Sequence, residues 1–449
     1  MNSLKQRLIQ PNPPTITPES TAITTLGPCT VKSPLRLATR PGQGHGPFVS
    51  DRARVRYRVE QGVEEEAGEV FFEKAGPRER LFFDPRRTKA ALVTCGGICP
   101  GLNNVIRSAF LELHHNYGVQ EVLGLRYGYA GLNPKVAEPP IRLTTEFVDD
   151  IHEDGGTVLG SSRGAQPVNI MVDYLERQKI NLLLCVGGDG TLRGAGAIAE
   201  EAMKRRAPLA VVGVPKTIDN DVMYVARTFG LTTATDKART VLDCAHNEAR
   251  SAFNGVGLVK VMGRDAGFIA AAATLASQEV NFCLVPEVPF ALEGKQGFLP
   301  TLRSRLDRRR HAVVVVAEGA GQDLIKHLPA GTDASGNKRY ADIGVHLKDQ
   351  ILAYFKRVGV PVEVKYFDPS YFIRSVPANT DDAMLCDQFG RHAVHAGMAG
   401  KTNLVIGLWN SVFTHLPIPL AVSAKKRVDP EGPLWMSVLA ATGQPRQWT

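Results

Sequence analysis

Past residue 85 the chain repeats one pattern: a short apolar, β-branched run followed by a longer stretch with helical spacing. The runs fall at 90–94, 182–186, 209–214, 256–261, 282–285, 312–317, 362–366 and 404–408. They are continuous rather than alternating, as expected of strands buried on both faces. Helical spacing fills most of the gaps, clearest at 103–113 and 231–249. Strands alternating with helices predict parallel sheets covered on both sides, and the number of runs calls for two of them. In open sheets of this type ligands bind where strands end and loops converge. Residues 1–85 break the pattern and read as a polar extension punctuated by Pro and Gly. Residues 303–310 read as the solvated end of a helix, and 331–340 as a surface loop.

Composition narrows this picture only in places. A length of 449 residues suggests two or three domains, and 43% apolar residues suffice for full cores. No apolar run approaches the roughly 18–20 residues that span a bilayer, so no membrane partner is expected. The net charge of +8 suits anionic substrates. Basic residues cluster at 303–310 and 425–427 without interleaved aromatics, which argues against nucleic acid. Seven cysteines (Cys29, Cys95, Cys99, Cys185, Cys244, Cys283 and Cys386) are odd in number and scattered, which argues against a disulfide framework. Cys95 and Cys99 lack a second pair and read as small turn residues rather than zinc ligands. No secretory signal is visible. The first 45 residues are Ser/Thr/Pro-rich and basic, a weak transit-peptide pattern, but Pro11, Pro13 and Pro14 interrupt any amphipathic helix. A disordered or surface-wrapping arm is expected instead.

The chemistry gathers at predicted strand ends. Thr94 to Asn103 is a glycine-rich turn entering a helix, which offers free N–H groups and a positive dipole end to an anion. Many α/β turns are glycine-rich for steric reasons alone. Cys185 to Thr191 and Pro215 to Asp221 each follow an apolar run. Asp189 lies between Gly188 and Gly190, where core packing cannot explain it. Magnesium uses one or two carboxylates plus phosphate oxygens and suits such a residue. Arg163, in Gly160-Ser161-Ser162-Arg163, supplies a fork of donors for a transferring phosphoryl group. Asp219 and Asp221 alternate past a strand. If the segment stays extended they face opposite ways, one to a substrate hydroxyl and one to metal or structure. A turn held by Asp and Asn side chains is the simpler reading of the same residues.

The ordered set GGICPGLN, GSSRG, GGDGT, PKTIDND, MGRDAGF, PEVPF, AEGAGQ and YFIR resembles the 6-phosphofructokinases over about residues 85–415. Within them it resembles the ATP-using branch of plants and trypanosomatids, itself related to pyrophosphate-dependent enzymes. LGPCTVKSPL and FVSDRARVRY resemble that branch's N-terminal extension, which weakens the transit-peptide reading. The resemblance implies two Rossmann-like three-layer α/β domains with parallel-rich sheets and the active site in the interdomain cleft. It implies an N-terminal extension over 1–85 and a donor-binding domain over 86–228 plus about 374–415. A sugar-phosphate domain would cover 229–373 and a C-terminal tail 416–449. The implied reaction is phosphoryl transfer from ATP with Mg2+ to the 1-hydroxyl of fructose 6-phosphate, the committed step of glycolysis. A cytoplasmic, allosteric homodimer or homotetramer is expected.

Carried over residue by residue, Asp219 is the general base, Thr217 steadies the sugar or phosphoryl group, Asp221 supports the sugar side and Asp189 holds the metal. Gly96, Gly188, Gly190 and Thr191 line the donor phosphates, Arg163 bridges the transferring group, and Lys216 assists transfer. Met262, Gly263 and Arg264 meet the sugar phosphate, Glu287 the sugar hydroxyls, and Tyr371 and Arg374 the 6-phosphate. Tyr371 stands where bacterial-type enzymes carry histidine. Lys365 stands where they carry an arginine reaching in from a neighbouring subunit. Gly255 replaces a second such arginine. The bacterial effector site is not recognisable as a set.

Donor choice turns on two positions. Pyrophosphate-dependent relatives carry aspartate in place of Gly190, where it fills the space of the nucleotide α-phosphate; glycine favours ATP. Lys216 points the other way, but a lysine can assist transfer from either donor, so steric exclusion weighs more. The alternatives are a pyrophosphate-dependent phosphotransferase and a non-catalytic regulatory subunit. The second conflicts with intact Asp219, Arg163 and Asp189. NAD kinases and lipid kinases also carry GGDGT but leave PKTIDND, MGRDAGF and YFIR unexplained.

Overall fold

A computed structural model describes residues 16–37, 47–59, 69–325, 331 and 340–448. Most of the loop expected at 331–340 lies outside the described residues, as do residues 1–15 and 38–46 of the expected arm. The chain divides into two compact units. One comprises Met1–Thr217, Val222–Phe229 and Asp382–Lys425; the other comprises Ile218–Asp221, Gly230–Asp381 and Lys426–Thr449.

The first unit is built on a nine-stranded sheet. Five neighbours run parallel in the order Leu404–Trp409, Ala210–Pro215, Leu182–Gly187, Lys89–Thr94 and Glu121–Leu125. Leu182–Gly187 and Ala210–Pro215 are buried at every position, as continuous apolar runs require when helices cover both faces. Ile141–Arg142 adds one antiparallel edge. On the other side Val412–Pro417, Phe71–Lys74 and Arg54–Arg56 follow in turn, all antiparallel.

Those last two strands come from the N-terminal extension, beyond the 45 residues expected to form an arm. In its described parts the N-terminal extension is woven into the first unit. Thr24–Thr25 pairs with Lys401–Thr402, and Val31–Lys32 with Arg80–Leu81. The physical reason is edge protection: Val412–Pro417 would otherwise expose a row of unpaired backbone groups. Phe72 is fully buried on this edge, worth about 1.5–3 kcal/mol. It packs edge-on against Tyr57 and Trp409, whose indole N–H donates to Tyr57 O at 2.7 Å.

The second unit holds a wholly parallel four-stranded sheet in the order Phe282–Leu284, His311–Ala317, Gly255–Val261 and Glu363–Phe367. Its core joins Leu258, Val314 and Val316 to Phe298 and Leu302 of helix Phe298–Arg309 and to Leu347 and Phe355 of helix Ile343–Arg357. Gly255 is a packing residue, since a Cβ there would lie 2.1 Å from Ala249 O on helix Leu231–Ser251. The expected C-terminal tail is not a separate piece. Its residues up to Lys425 belong to the first unit and those from Lys426 to the second. Trp435 and Trp448 are buried, which explains the attachment. Likewise Ile218–Asp221, expected with the donor-binding domain, groups with the second unit.

Candidate active site

Within the first unit, three turns meet because their strands end level. Thr94 pairs with Val186, and Pro215 with Gly187. After Thr94, Gly96 turns with φ of 85°, a left-handed value that disfavours side chains. Helix Leu102–Leu111 then begins behind Gly101, also left-handed at 97°. The Gly96 N–H donates to Ser162 O at 3.1 Å, and Thr94 Oγ1 donates to Gly160 O at 2.9 Å. These bonds fasten the Gly160–Arg163 segment to the strand end and leave Arg163 exposed.

Lys216 lies beneath the same turn. It is buried, and its ammonium donates to Gly97 O at 2.7 Å. A Cβ on Gly96 would approach that ammonium to 3.4 Å. Thr217, buried beside it, accepts from Thr228 Oγ1 through its carbonyl at 2.7 Å.

Gly187 and Gly188 carry the third turn into helix Asp189–Lys204. Thr191 is buried, and its carbonyl accepts from Tyr129 Oη at 2.6 Å. Around Gly190 the space is open: a Cβ there would meet nothing within 4 Å. Asp189 Oδ2 accepts from Arg193 Nε at 3.1 Å, four residues on, with both side chains partly exposed. One accessible carboxylate at a helix N-terminus suits a magnesium ion that takes most of its ligands from phosphate and water. Burial pushes the Cys95 thiol up to about 12, so it is no nucleophile at neutral pH.

The second unit holds the other residues. The segment after Thr217 does not stay extended, because Asn220 turns with φ of 55°. The simple opposition of Asp219 and Asp221 expected of a strand is therefore lost. Asp221 O accepts from the Lys426 N–H at 2.9 Å. After strand Gly255–Val261, Gly263 takes φ of 143°, and a Cβ there would lie 2.4 Å from Ala266 O. This fixes the Met262–Arg264 turn, whose Arg264 N–H donates to Glu318 Oε1 at 3.1 Å.

Glu287 is buried. Its Oε1 accepts from the N–H groups of Gly267 at 2.9 Å and Val428 at 2.8 Å, while Oε2 has no partner among the described residues. Burial raises its pKa, opposed by those two N–H donors. The Arg374 guanidinium lies 5.1 Å from the Tyr371 ring centre, and its buried Nε also lacks a partner among the described residues. Lys365 sits apart, on the edge strand Glu363–Phe367, paired with Glu363 at 2.6 Å.

The pattern of the phosphofructokinase family matches residues 89–397. The chain belongs to that family. It is 48% identical over 432 residues to the ATP-dependent 6-phosphofructokinase of Borreliella burgdorferi, covering 94% of this chain and 96% of the relative. It is 44% identical over 444 residues to the enzyme of the same name from Entamoeba histolytica, covering 98% and 99%. The trypanosomatid likeness recurs in Trypanosoma cruzi at 46% identity, covering 86% of this chain and 80% of that relative. A pyrophosphate-dependent phosphofructokinase structure from Marinobacter aquaeolei shares the fold, with a TM-score of 0.65, 19% identity and coverage of 81% and 92%. The α/β architecture with parallel-rich sheets is therefore that of phosphofructokinases.

Three features of this phosphofructokinase escaped the sequence reading: the Arg193 partner of Asp189, the Tyr129 prop behind Thr191, and the contacts of 426–428 with Asp221 and Glu287. The i,i+4 spacing of Asp189 and Arg193 was the available signal for the first. The short basic run at 425–427 is the signal for the last, which by itself argues only against nucleic acid.

Proposed function

We propose that the chain transfers the γ-phosphoryl group of ATP to the 1-hydroxyl of fructose 6-phosphate, giving fructose 1,6-bisphosphate and ADP. The observation that carries this reading is the open space at Gly190, beside a turn already furnished with Thr191, Lys216 and Gly96. A nucleotide α-phosphate needs that space. The ATP-dependent relatives support the same donor.

Asp219 accepts the proton of the 1-hydroxyl while its oxygen attacks the γ-phosphorus and the bond to the bridging oxygen of ADP breaks. Arg163 and Lys216 offset charge on the equatorial oxygens, the largest contribution a protein makes to such a transfer. Asp189 would hold Mg2+, which would screen the charge of the donor phosphates. Gly96, Gly188 and Thr191 present backbone and hydroxyl donors to them. Thr217 steadies the transferring group. Asp221 and Glu287 orient the sugar, with Glu287 Oε2, which has no partner among the described residues, serving a hydroxyl. Met262, Gly263 and Arg264 meet the sugar phosphate, and Tyr371 and Arg374 take the 6-phosphate. On this reading the enzyme works in the cytoplasm as a homodimer or homotetramer, with Lys365 reaching a neighbouring subunit's site. Among the described residues no helix is long and apolar enough to cross a membrane.

The second reading is transfer from pyrophosphate, favoured by the buried Lys216 ammonium alone. A coupled assay with purified protein, fructose 6-phosphate and Mg2+ separates the two. Turnover with ATP is expected. Turnover with pyrophosphate only would overturn the assignment of donor, and turnover with neither would overturn the reaction.

A further inference from the structure

We propose that the C-terminal strap Lys426–Val428 is a positioning element of the sugar-phosphate site: the Lys426 N–H holds the Asp221 backbone, the Lys426 ammonium braces the turn before Phe268, and the Val428 N–H orients Glu287. The inference rests on the sugar-side reading of Asp221 and Glu287 given above. Within the second unit the strap touches both carboxylate-bearing segments. The Lys426 N–H donates to Asp221 O at 2.9 Å, and two residues later the Val428 N–H donates to Glu287 Oε1 at 2.8 Å. The Lys426 ammonium lies 5.2 Å from the ring centre of Phe268, which opens the helix after the Met262–Gly267 turn. One short segment thus bears on Asp221, Glu287 and the turn expected to meet the sugar phosphate.

The contact at Glu287 also chooses an oxygen. Val428 and Gly267 both donate to Oε1, so Oε2 is the atom left buried without a partner among the described residues. A buried, unmatched acceptor is costly unless a ligand hydroxyl completes it. Val428 is itself buried, and the chain beyond it is anchored. Gln444 exchanges hydrogen bonds with the Cys283 backbone at 2.7 and 3.1 Å, and Trp448 packs on Phe282 and Phe298. The strap is therefore held at its far end by the unit's sheet. Burial of the Lys426 ammonium depresses its pKa to about 7, against the opposing pull of Asp221. A dianionic sugar phosphate adds negative charge to this neighbourhood and favours the ammonium.

The test compares Lys426→Met, Lys426→Arg and Glu287→Gln with wild type, measuring kcat, both KM values and the thermal midpoint. Methionine keeps the volume and removes a charge that burial penalises, so the fold is expected to hold. The Lys426 N–H bond to Asp221 O survives any change of side chain, so this variant reads the ammonium over Phe268: Lys426→Met should raise KM for fructose 6-phosphate about tenfold, with KM for ATP within about twofold. Lys426→Arg should recover most of the loss. Wild-type KM for fructose 6-phosphate in Lys426→Met overturns the role of the Lys426 ammonium, and wild-type KM in Glu287→Gln overturns that of the Val428 contact. A lowered thermal midpoint with both substrates weakened alike also overturns the strap's role, because that is the mark of a merely structural residue. A raised KM in Lys426→Met with an unchanged one in Glu287→Gln supports the Lys426 half of the proposal and overturns the Glu287 half.

Discussion

Around Gly190 the first unit leaves a space in which an added Cβ meets no atom within 4 Å. Around Glu73, in the same unit, two cations and an imidazole converge on one carboxylate. Arg78 reaches it at 3.0 Å, Lys401 at 2.8 Å and His415 Nδ1 at 2.9 Å. Arg78 and His415 are almost wholly buried, and the network ties the N-terminal extension to strand Val412–Pro417. Gly190 stands for a turn with open space beside it, and Glu73 for a carboxylate already ringed by cations. Substitutions in the first should change kinetics in a folded protein. In the second they should change stability and leave the chemistry of the folded fraction alone.

Asp219→Asn is the most severe test of the kinetic half. A general base acts in the transition state and hardly at all in ground-state binding. The substitution should lower kcat by on the order of 10² to 10⁴ with little change in KM for fructose 6-phosphate. The thermal midpoint should stay put. Near-normal kcat would remove Asp219 from the role of base.

Glu73→Gln tests the other half. It removes the more buried of the two carboxylates that Arg78 and Lys401 share, leaving only the exposed Asp51 at 2.8 and 3.6 Å, a loss of about 3 kcal/mol, the low end for a broken buried pair. Chemical denaturation should show that loss, while kcat per folded molecule stays at wild type. A fall in kcat with unchanged stability would abolish the distinction drawn here. The junction also sets an acid limit. Burial depresses His415 to about 4, despite its bond to Glu73, and His392 to about 3. Burial alone would raise Glu73, yet His415 and Lys401 hold it well below the usual carboxylate range. Each histidine is neutral in the folded state and charges at about 6.5 when unfolded. Their contribution is complete above that pH and drains away as pH falls towards 4 and 3. The Glu73 contribution, complete above its unfolded value, also declines with acid.

The same contrast explains what could be read from sequence. The expected donor-side residues lie in compact runs at the ends of apolar strands, so their motifs stand out one at a time, while the roles expected of Gly96, Thr191 and Lys216 come from the family resemblance. The two sheets were legible because strands such as 182–186 are apolar without a break. The junction draws on Asp51, Glu73, Arg78, Lys401 and His415, which no local window joins. Its strands are short, and Arg54–Arg56 carries two arginines on an edge, so the alternation of Val55 and Tyr57 with arginine was too brief to stand out. The strap at 426–428 was hidden for a related reason. Two of its hydrogen bonds come from backbone N–H groups, which every non-proline residue owns and no side chain advertises.

Gly190→Asp places a side chain in the open region itself. The fold has room for it, and replacing glycine early in helix Asp189–Lys204 with an acid suits both the backbone and the helix dipole. Stability should hold or rise slightly. The carboxylate should exclude the nucleotide by volume and by like charge, lowering kcat/KM for ATP by ~10² or more, about 3 kcal/mol of transition-state binding. Pyrophosphate carries no nucleoside to displace, so its use should fall far less, or appear if Lys216 already supports it. A folded variant with wild-type ATP turnover would sink the assignment of Gly190 as donor-selecting.

The smallest effect is expected at Arg374, and it refines the comparison in the second unit. Its guanidinium rests on the Tyr371 ring, and its buried Nε is unmatched among the described residues, so this cation resembles the donor turns more than the junction. Arg374→Ala removes a charge-assisted phosphate contact of about 1.4 kcal/mol, taken at the low end because the residue is only partly buried. KM for fructose 6-phosphate should rise about tenfold, the equivalent of that energy. KM for ATP should barely move. No folded-state partner of Nε is lost, so the thermal midpoint should not fall as it does in Glu73→Gln. Equal weakening of both substrates, or a midpoint lowered as far as in Glu73→Gln, would move Arg374 out of the phosphate site and into the frame.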